Sequence, residues 1–132
     1  MAIQFLNPDT LMKSPAFSQV VTTSGNGKTI YIGGQNSVSP KGEIIGKGDI
    51  AAQTEQVMLN IENALKAAGA TFRDIIKMNI YITQGQDIRK GFEASQRFFK
   101  DNENQPVITA LFVAGMGNPD YLLEVEAVAF IA

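Results

Sequence analysis

Glu124 and Glu126 stand two residues apart in the run Leu122-Leu123-Glu124-Val125-Glu126-Ala127-Val128, and on an extended chain that spacing puts both carboxylates on one face. Leu122, Val128 and Phe130 share that face. A carboxylate in such company has two uses. At a rim it reaches water or pairs with Lys or Arg; partly buried, it takes a raised pKa and serves as an acid, a base or a holder of water. Alternation alone leaves both open. Composition narrows the chemistry further, because the 132 residues contain no His and no Cys. Thiolate or imidazole zinc sites, Ser or Cys nucleophiles activated by His, CxxC redox chemistry and disulfides are therefore excluded. Any acid or base must be Asp, Glu, Lys or Tyr.

Eleven basic residues against thirteen acidic ones give a net charge of −2, so no basic field exists to collect phosphates, and nucleic acid is not an expected partner. Apolar residues at 45% and charged residues at 18% are those of a folded protein, and the length suits one domain spanning 1–132. The opening residues MAIQFLNPDTLMKS lack a basic start followed by a continuous apolar stretch, and no apolar run approaches the roughly 20 residues of a membrane helix. The expectation is a cytoplasmic protein without a membrane partner.

The elements that must position the carboxylates follow from periodicity and turn chemistry. Residues 16–33 predict a hairpin, AFSQVVTTS and TIYIGG about the turn Ser24-Gly25-Asn26-Gly27-Lys28, since Asn-Gly tolerates positive φ at both positions. A loop with Pro40, Gly42, Gly46 and Gly48 follows, with room for a short strand at Glu43 to Ile45; these glycines make turns and match no phosphate-loop spacing. Asp49 caps a helix to about Ala68 with the stripe Ile50, Val57, Ile61, Leu65 and Ala68, and Gly69 stops it. From Asp74 to Thr83 the period is two, with Ile76, Met78, Ile80 and Ile82 on one side and Lys77, Asn79, Tyr81 and Thr83 on the other. Asp87 caps a second helix to about Phe99, with Ile88, Phe92, Ser95 and Phe99 on its stripe and Gly91 costing about 1 kcal/mol against Ala. Strands at Val107 to Ala114 and Tyr121 to Ile131 close the chain. Strands alternating with single helices predict an α+β or α/β two-layer sandwich, a mixed sheet with two helices on one face.

Neither face of the last two strands is simply polar. Two helices cover only one side of a sheet, so the other needs a cover of its own, and a homo-oligomer with sheet faces turned together is expected.

The segments Ser14-Pro15-Ala16-Phe17-Ser18-Gln19, Tyr31-Ile32-Gly33-Gly34-Gln35, Asn60-Ile61-Glu62-Asn63-Ala64-Leu65-Lys66-Ala67-Ala68-Gly69, Pro106-Val107-Ile108-Thr109-Ala110 and Leu123-Glu124-Val125-Glu126-Ala127-Val128-Ala129 occur in one co-linear order. In that order the chain resembles the Rid family of reactive intermediate deaminases, also called YjgF and labelled endoribonuclease L-PSP, over nearly its whole length. The resemblance implies a chorismate-mutase-like α+β sandwich assembled as a homotrimer with clefts between subunits. It implies hydrolysis of enamines and imines to keto acids and ammonia, with no metal and no cofactor. Such chemistry asks for orientation, a carboxylate to handle protons and an anchor for the substrate.

By the same resemblance the catalytic glutamate falls on Glu124. Substrate-binding positions fall on Gly34, Phe17, Ile108 and Ala110, with Phe112 lining the same cleft. Phe17 keeps an aromatic ring without a tyrosine hydroxyl. Ile108 stands where archetypal members carry the arginine that clamps a substrate carboxylate, a charge-assisted pair of about 1.5 to 3 kcal/mol. A second family arginine falls on Gly115, and the following loop is one residue longer. Of the arginines present, Arg73 precedes a strand, and Arg89 and Arg97 on the second helix read as solvated charges.

Three functions stand side by side. One is a cofactor-free enamine or imine hydrolase acting on something other than standard 2-imino acids. Another is a trimer that binds a small molecule or partner in apolar clefts without turnover. The third is a ribonuclease, to which an acidic chain without His or a basic patch is poorly suited.

Overall fold

Asp49 and Gly69 bracket the first helix as their chemistry requires. The structure is a computed structural model describing residues 2–132; Met1, the first residue of the expected domain, lies outside them. Helix α1 (Ile50–Ala67) begins where the Asp49 side chain accepts from the Ala52 amide at 3.1 Å. It ends with Gly69 at φ +79°, where the Gly69 amide bonds to the Lys66 carbonyl and the Ala70 amide to the Leu65 carbonyl. That pair of bonds is a Schellman closure. Helix α2 (Ile88–Phe99) starts on Asp87, which accepts from the Arg89 amide at 3.0 Å. Gly91 is buried against α1, and a Cβ there would lie 3.2 Å from Thr54 Oγ1. The close approach of the helices thus explains a glycine that helix propensity disfavours.

The strands are β1 (Ile3–Leu6), β2 (Val20–Thr23), β3 (Lys28–Gln35), β4 (Ile75–Thr83), β5 (Val107–Val113) and β6 (Leu123–Ile131), with a single 3₁₀ turn at Phe72–Asp74 before β4. Four of them form a sheet in the order β3-β6-β4-β5, antiparallel except for the parallel β4–β5 pair. Val57, Ile61 and Leu65 of α1 are buried with Val125, Ala127 and Ala129 of β6 and Ile75 and Met78 of β4. The expected mixed sheet with two helices on one face is what forms, an α+β sandwich.

Four local expectations are corrected. The hairpin at 16–33 does not form: β2 pairs with β1, β3 pairs with β6, and the two lie in different sheets. Gly25 takes positive φ, but neither Asn26 nor Gly27 does, and the type I′ turn that Asn-Gly favours needs both central residues there. Gly27 instead lets the backbone meet the Phe130 ring, where a Cβ would collide. The strand at Glu43 to Ile45 reduces to one bridge, Val38 to Ile44. In β4 a register shift between Ile75 and Lys77 buries Ile75 beside Met78 and leaves Ile76 half-buried. On α2 only Gly91 and Phe98 are buried, whereas Ile88 and Phe92 of the predicted core stripe are 41% and 50% exposed.

Candidate functional site

Leu123, Val125, Ala127 and Ala129 turn inward beneath the helices, so alternation places Glu124 and Glu126 on the helix-free face of the sheet. Opposite them β3 carries one extra residue: Ile32 pairs with Ala127 and Gln35 with Val125, which makes Gly33-Gly34 a bulge. A Cβ at Gly34 would fall on the Glu124 carboxylate. The group that this backbone approaches closely is therefore Glu124 itself, and the glycine is the room that the carboxylate occupies.

Asn36, just past the bulge, fixes the carboxylate from the other side. Its Nδ2 donates to Glu124 Oε1 at 3.3 Å and to the Leu123 carbonyl at 3.1 Å. The Asn36 backbone is tied in turn to α1, where Asn60 Nδ2 donates to the carbonyls of Asn36 at 3.0 Å and Val38 at 3.1 Å. Gln56 Nε2 donates to Asn60 Oδ1 at 2.9 Å. One face of α1 thus orients Glu124 through two amides.

Glu126 is held differently. Asn79 Nδ2 and the Tyr81 hydroxyl both donate to its Oε1 at 2.9 Å. These bonds, Asn79 first and Tyr81 second, hold the Glu126 carboxyl below the usual carboxylate range, with Lys77 adding to them and burial opposing. The same bond, aided by burial and the charges of Glu126 and Glu124, raises the Tyr81 hydroxyl. The raised-pKa alternative does not hold for Glu126, which is a fixed anion at neutral pH. A hollow of about 320 Å³ lies beside it, bordered by Tyr31, Gly33, Lys77 and Val128.

The other predicted positions lie on the opposite face. Met78 pairs with Ile108 and Ile80 with Ala110 across β4–β5, so Ile108 and Ala110 point to the helix side with Val125. Together with Phe17 they line a cavity of about 640 Å³ between α2 and the β4–β5 half of the sheet. Phe112 is half-exposed and does not line it. One chain therefore brings Gly34 to Glu124, and Phe17 to Ile108 and Ala110, but does not bring the two groups together. Arg97 at the cavity is engaged by Glu55 at 2.9 Å and lies over the Phe98 ring, so no guanidinium replaces the clamp at Ile108.

Among the described residues no group of three or more acidic side chains is placed to hold a metal ion. No helix among the described residues is long and apolar enough to cross a membrane. Sequence reasoning assigned no role to Asn36, Gln56, Asn60, Asn79 or Tyr81. The last two had one signal, a polar alternation along β4; the others act across the fold and had none.

Residues 9–131 match the family model described as endoribonuclease L-PSP. A RutC family protein of Pyrococcus horikoshii is 39% identical over 105 residues, covering 79% of this chain and 80% of that protein. Human 2-iminobutanoate/2-iminopropanoate deaminase is 31% identical over 113 residues, covering 86% of this chain and 78% of its own length. A Rid-family protein of unknown function from Yersinia pestis superposes with a TM-score of 0.88 at 28% identity, covering 99% of this chain and all of that one. TdcF of E. coli, solved with bound serine, superposes at 0.70 and 31% identity over 79% of this chain and 81% of its own. Sequence and fold agree: the chain belongs to the Rid/YjgF family of endoribonuclease L-PSP-like proteins and has its chorismate-mutase-like sandwich.

Proposed function

We propose that this protein is a cofactor-free enamine or imine hydrolase whose substrate is not a standard 2-imino acid. The observation that carries the reading is the Glu124 carboxylate, seated in the space left by Gly34 and oriented by Asn36. Glu124 takes a proton from water as the water oxygen adds to the C=N carbon and passes it to the nitrogen, giving a neutral carbinolamine; as that collapses, the hydroxyl proton is carried by Glu124 to the nitrogen, the C–N bond breaks, and a carbonyl product and ammonia are released. An imine carbon is already electrophilic, so positioning contributes most of the rate.

Substrate choice is read from the other half. Ile108 offers no charge to a carboxylate next to the reacting carbon, and Phe17 and Ala110 beside it favour an apolar group. The two halves unite when copies of the chain assemble as a homotrimer, one subunit's Glu124 facing the next subunit's cavity. The names carried by the human and rat relatives support the reaction class. The serine bound in TdcF supports a small-molecule site.

The test follows hydrolysis of imines generated in situ by an amine or amino-acid oxidase and scavenged by semicarbazide. The unmodified protein should accelerate hydrolysis of an uncharged imine more than that of a 2-imino acid, Glu124→Ala should not, and Ile108→Arg should shift preference towards the 2-imino acid. A binding protein without turnover is the second reading, favoured by the apolar cavity and the missing clamp; inertness of all three forms towards both imines would select it.

A further inference from the structure

Asn36 Nδ2 carries two protons and faces three acceptors. The Leu123 carbonyl lies 3.1 Å away, Glu124 Oε1 3.3 Å and the Met116 sulfur 3.9 Å. A thioether is a weak acceptor, so the two oxygens hold the protons and Glu124 stays oriented. That balance depends on the oxidation state of the sulfur, because a sulfoxide adds a polar oxygen to an otherwise apolar side chain.

Access favours the reaction at this methionine. Met116 sits in the loop between β5 and β6, flanked by Gly115 and Gly117. Neither glycine takes positive φ, and a Cβ at either would meet nothing within 4 Å, so neither backbone conformation nor crowding calls for glycine there. Their effect is to leave both sides of Met116 bare, while Met116 itself is half-buried against Asn36. Met58 and Met78, by contrast, are 2% and 1% exposed in the core. Met12, 69% exposed in the loop between β1 and β2, borders neither of the hollows described above.

We infer that Met116 is an oxidation site that controls Glu124, with hydrogen peroxide as the oxidant. The sulfur gives an electron pair to one peroxide oxygen; the S–O bond forms as the O–O bond breaks, the departing hydroxide takes the remaining proton, and sulfoxide and water result. The new oxygen closes the 3.9 Å gap to Nδ2, and three oxygens then compete for two protons. The Leu123 carbonyl is fixed in β6 and the sulfoxide oxygen is tethered to its sulfur. Glu124 is half-exposed and can exchange Asn36 for water, so the carboxylate is the partner that leaves. The effect on turnover rests on the role proposed above for Glu124.

The test treats the full-length protein with hydrogen peroxide, removes the excess and maps sulfoxides by peptide mass. Met12 and Met116 should oxidise, with Met58 and Met78 about tenfold slower. The Asn36 side-chain amide resonances should move in step with Met116 oxidation in wild type and in Met12→Leu, and should not respond to peroxide in Met116→Leu. Imine hydrolysis is followed with catalase present, since an oxidase that makes the imine also releases peroxide. It should fall about tenfold in the same step and return after treatment with both methionine sulfoxide reductases and dithiothreitol. Met116→Leu should keep its own untreated rate after peroxide.

Sulfoxide at Met12 with Met116 intact, an Asn36 amide unmoved by Met116 oxidation, hydrolysis unchanged by it, or a loss of hydrolysis that Met116→Leu shares would overturn the inference. Its failure separates from failure of the hydrolase reading: the amide reports the first without any substrate, and hydrolysis that Glu124→Ala leaves unaltered marks the second.

Discussion

Tyr81 and Asn79 spend their donors on Glu126 and so fix a negative charge beside Glu124. The linkage has a definite sign. Glu126 has a folded pKa below its unfolded value, so its stabilisation is present above the unfolded carboxyl range and is lost as pH falls through the folded pKa. Tyr81 has a raised folded pKa, so its share is present below the unfolded phenol value and is lost as pH rises through the folded one. Tyr81→Phe should therefore move the Glu126 carboxyl carbon titration upward. The stability difference from wild type, followed by urea unfolding, should be largest near neutrality and shrink on both sides; a constant difference between pH 3 and pH 7 would dissociate the two groups. Gly34→Ala tests the neighbouring carboxylate. The added methyl occupies the place of the Glu124 carboxyl, a half-exposed group able to swing away. Stability should change by less than about 1 kcal/mol, while the proposed mechanism expects hydrolysis to fall about 100-fold as the Glu124 carboxylate is displaced.

At the scale of elements, α1 does more than cover the sheet. Gln53, fully buried, donates to the carbonyls of Gly46 at 3.2 Å and Asp120 at 3.0 Å and accepts from the Leu122 amide at 3.0 Å. It anchors the loop before α1 and the entry to β6, the strand that carries Glu124. Gln53→Leu leaves those three backbone groups without that partner, so unfolding in urea should show a loss of about 3 kcal/mol; a loss under 1 kcal/mol would mean that water replaces the amide. Helix limits were legible from Asp49, Gly69 and Asp87 because caps are local chemistry. The face carrying Glu124 and Glu126 was legible because a strand alternates. The ribbon of β1 and β2 was not: four-residue strands hold too little pattern, and the Asn26-Gly27 turn signal competes with the better pairing of β3 on β6. The oriented site was legible only in part, since Asn36 lies 88 residues from Glu124 and 24 from Asn60 along the chain, and no local pattern marks a hydrogen bond of that span.

For the whole molecule, the helix-free face bears on whether one chain holds a complete site. Tyr31 is 81% exposed and Leu111 51%, on either side of a strip formed by Glu124, Glu126, Lys77, Asn79 and Tyr81. Apolar flanks around a polar strip suit a face covered by a second copy, whose rim bonds satisfy the strip as its centre excludes water. Closed assembly predicts a light-scattering mass three times the 14.3 kDa of the chain, reduced to one in a Tyr31→Asp, Leu111→Asp double variant with an unchanged far-UV spectrum. Whether subunits share the site is decided by mixing. Glu124→Ala lacks the carboxylate and Ala110→Leu fills the cavity, so each alone should be nearly inactive. If one subunit's Glu124 serves the next subunit's cavity in a closed ring, random reassembly of equal amounts makes about a quarter of the sites whole and restores about a quarter of the rate. If both groups belong to one subunit's site, every site keeps a defect and mixing restores nothing. The recovered fraction therefore reads directly where the reacting carbon sits relative to the sheet: between two copies, or inside one.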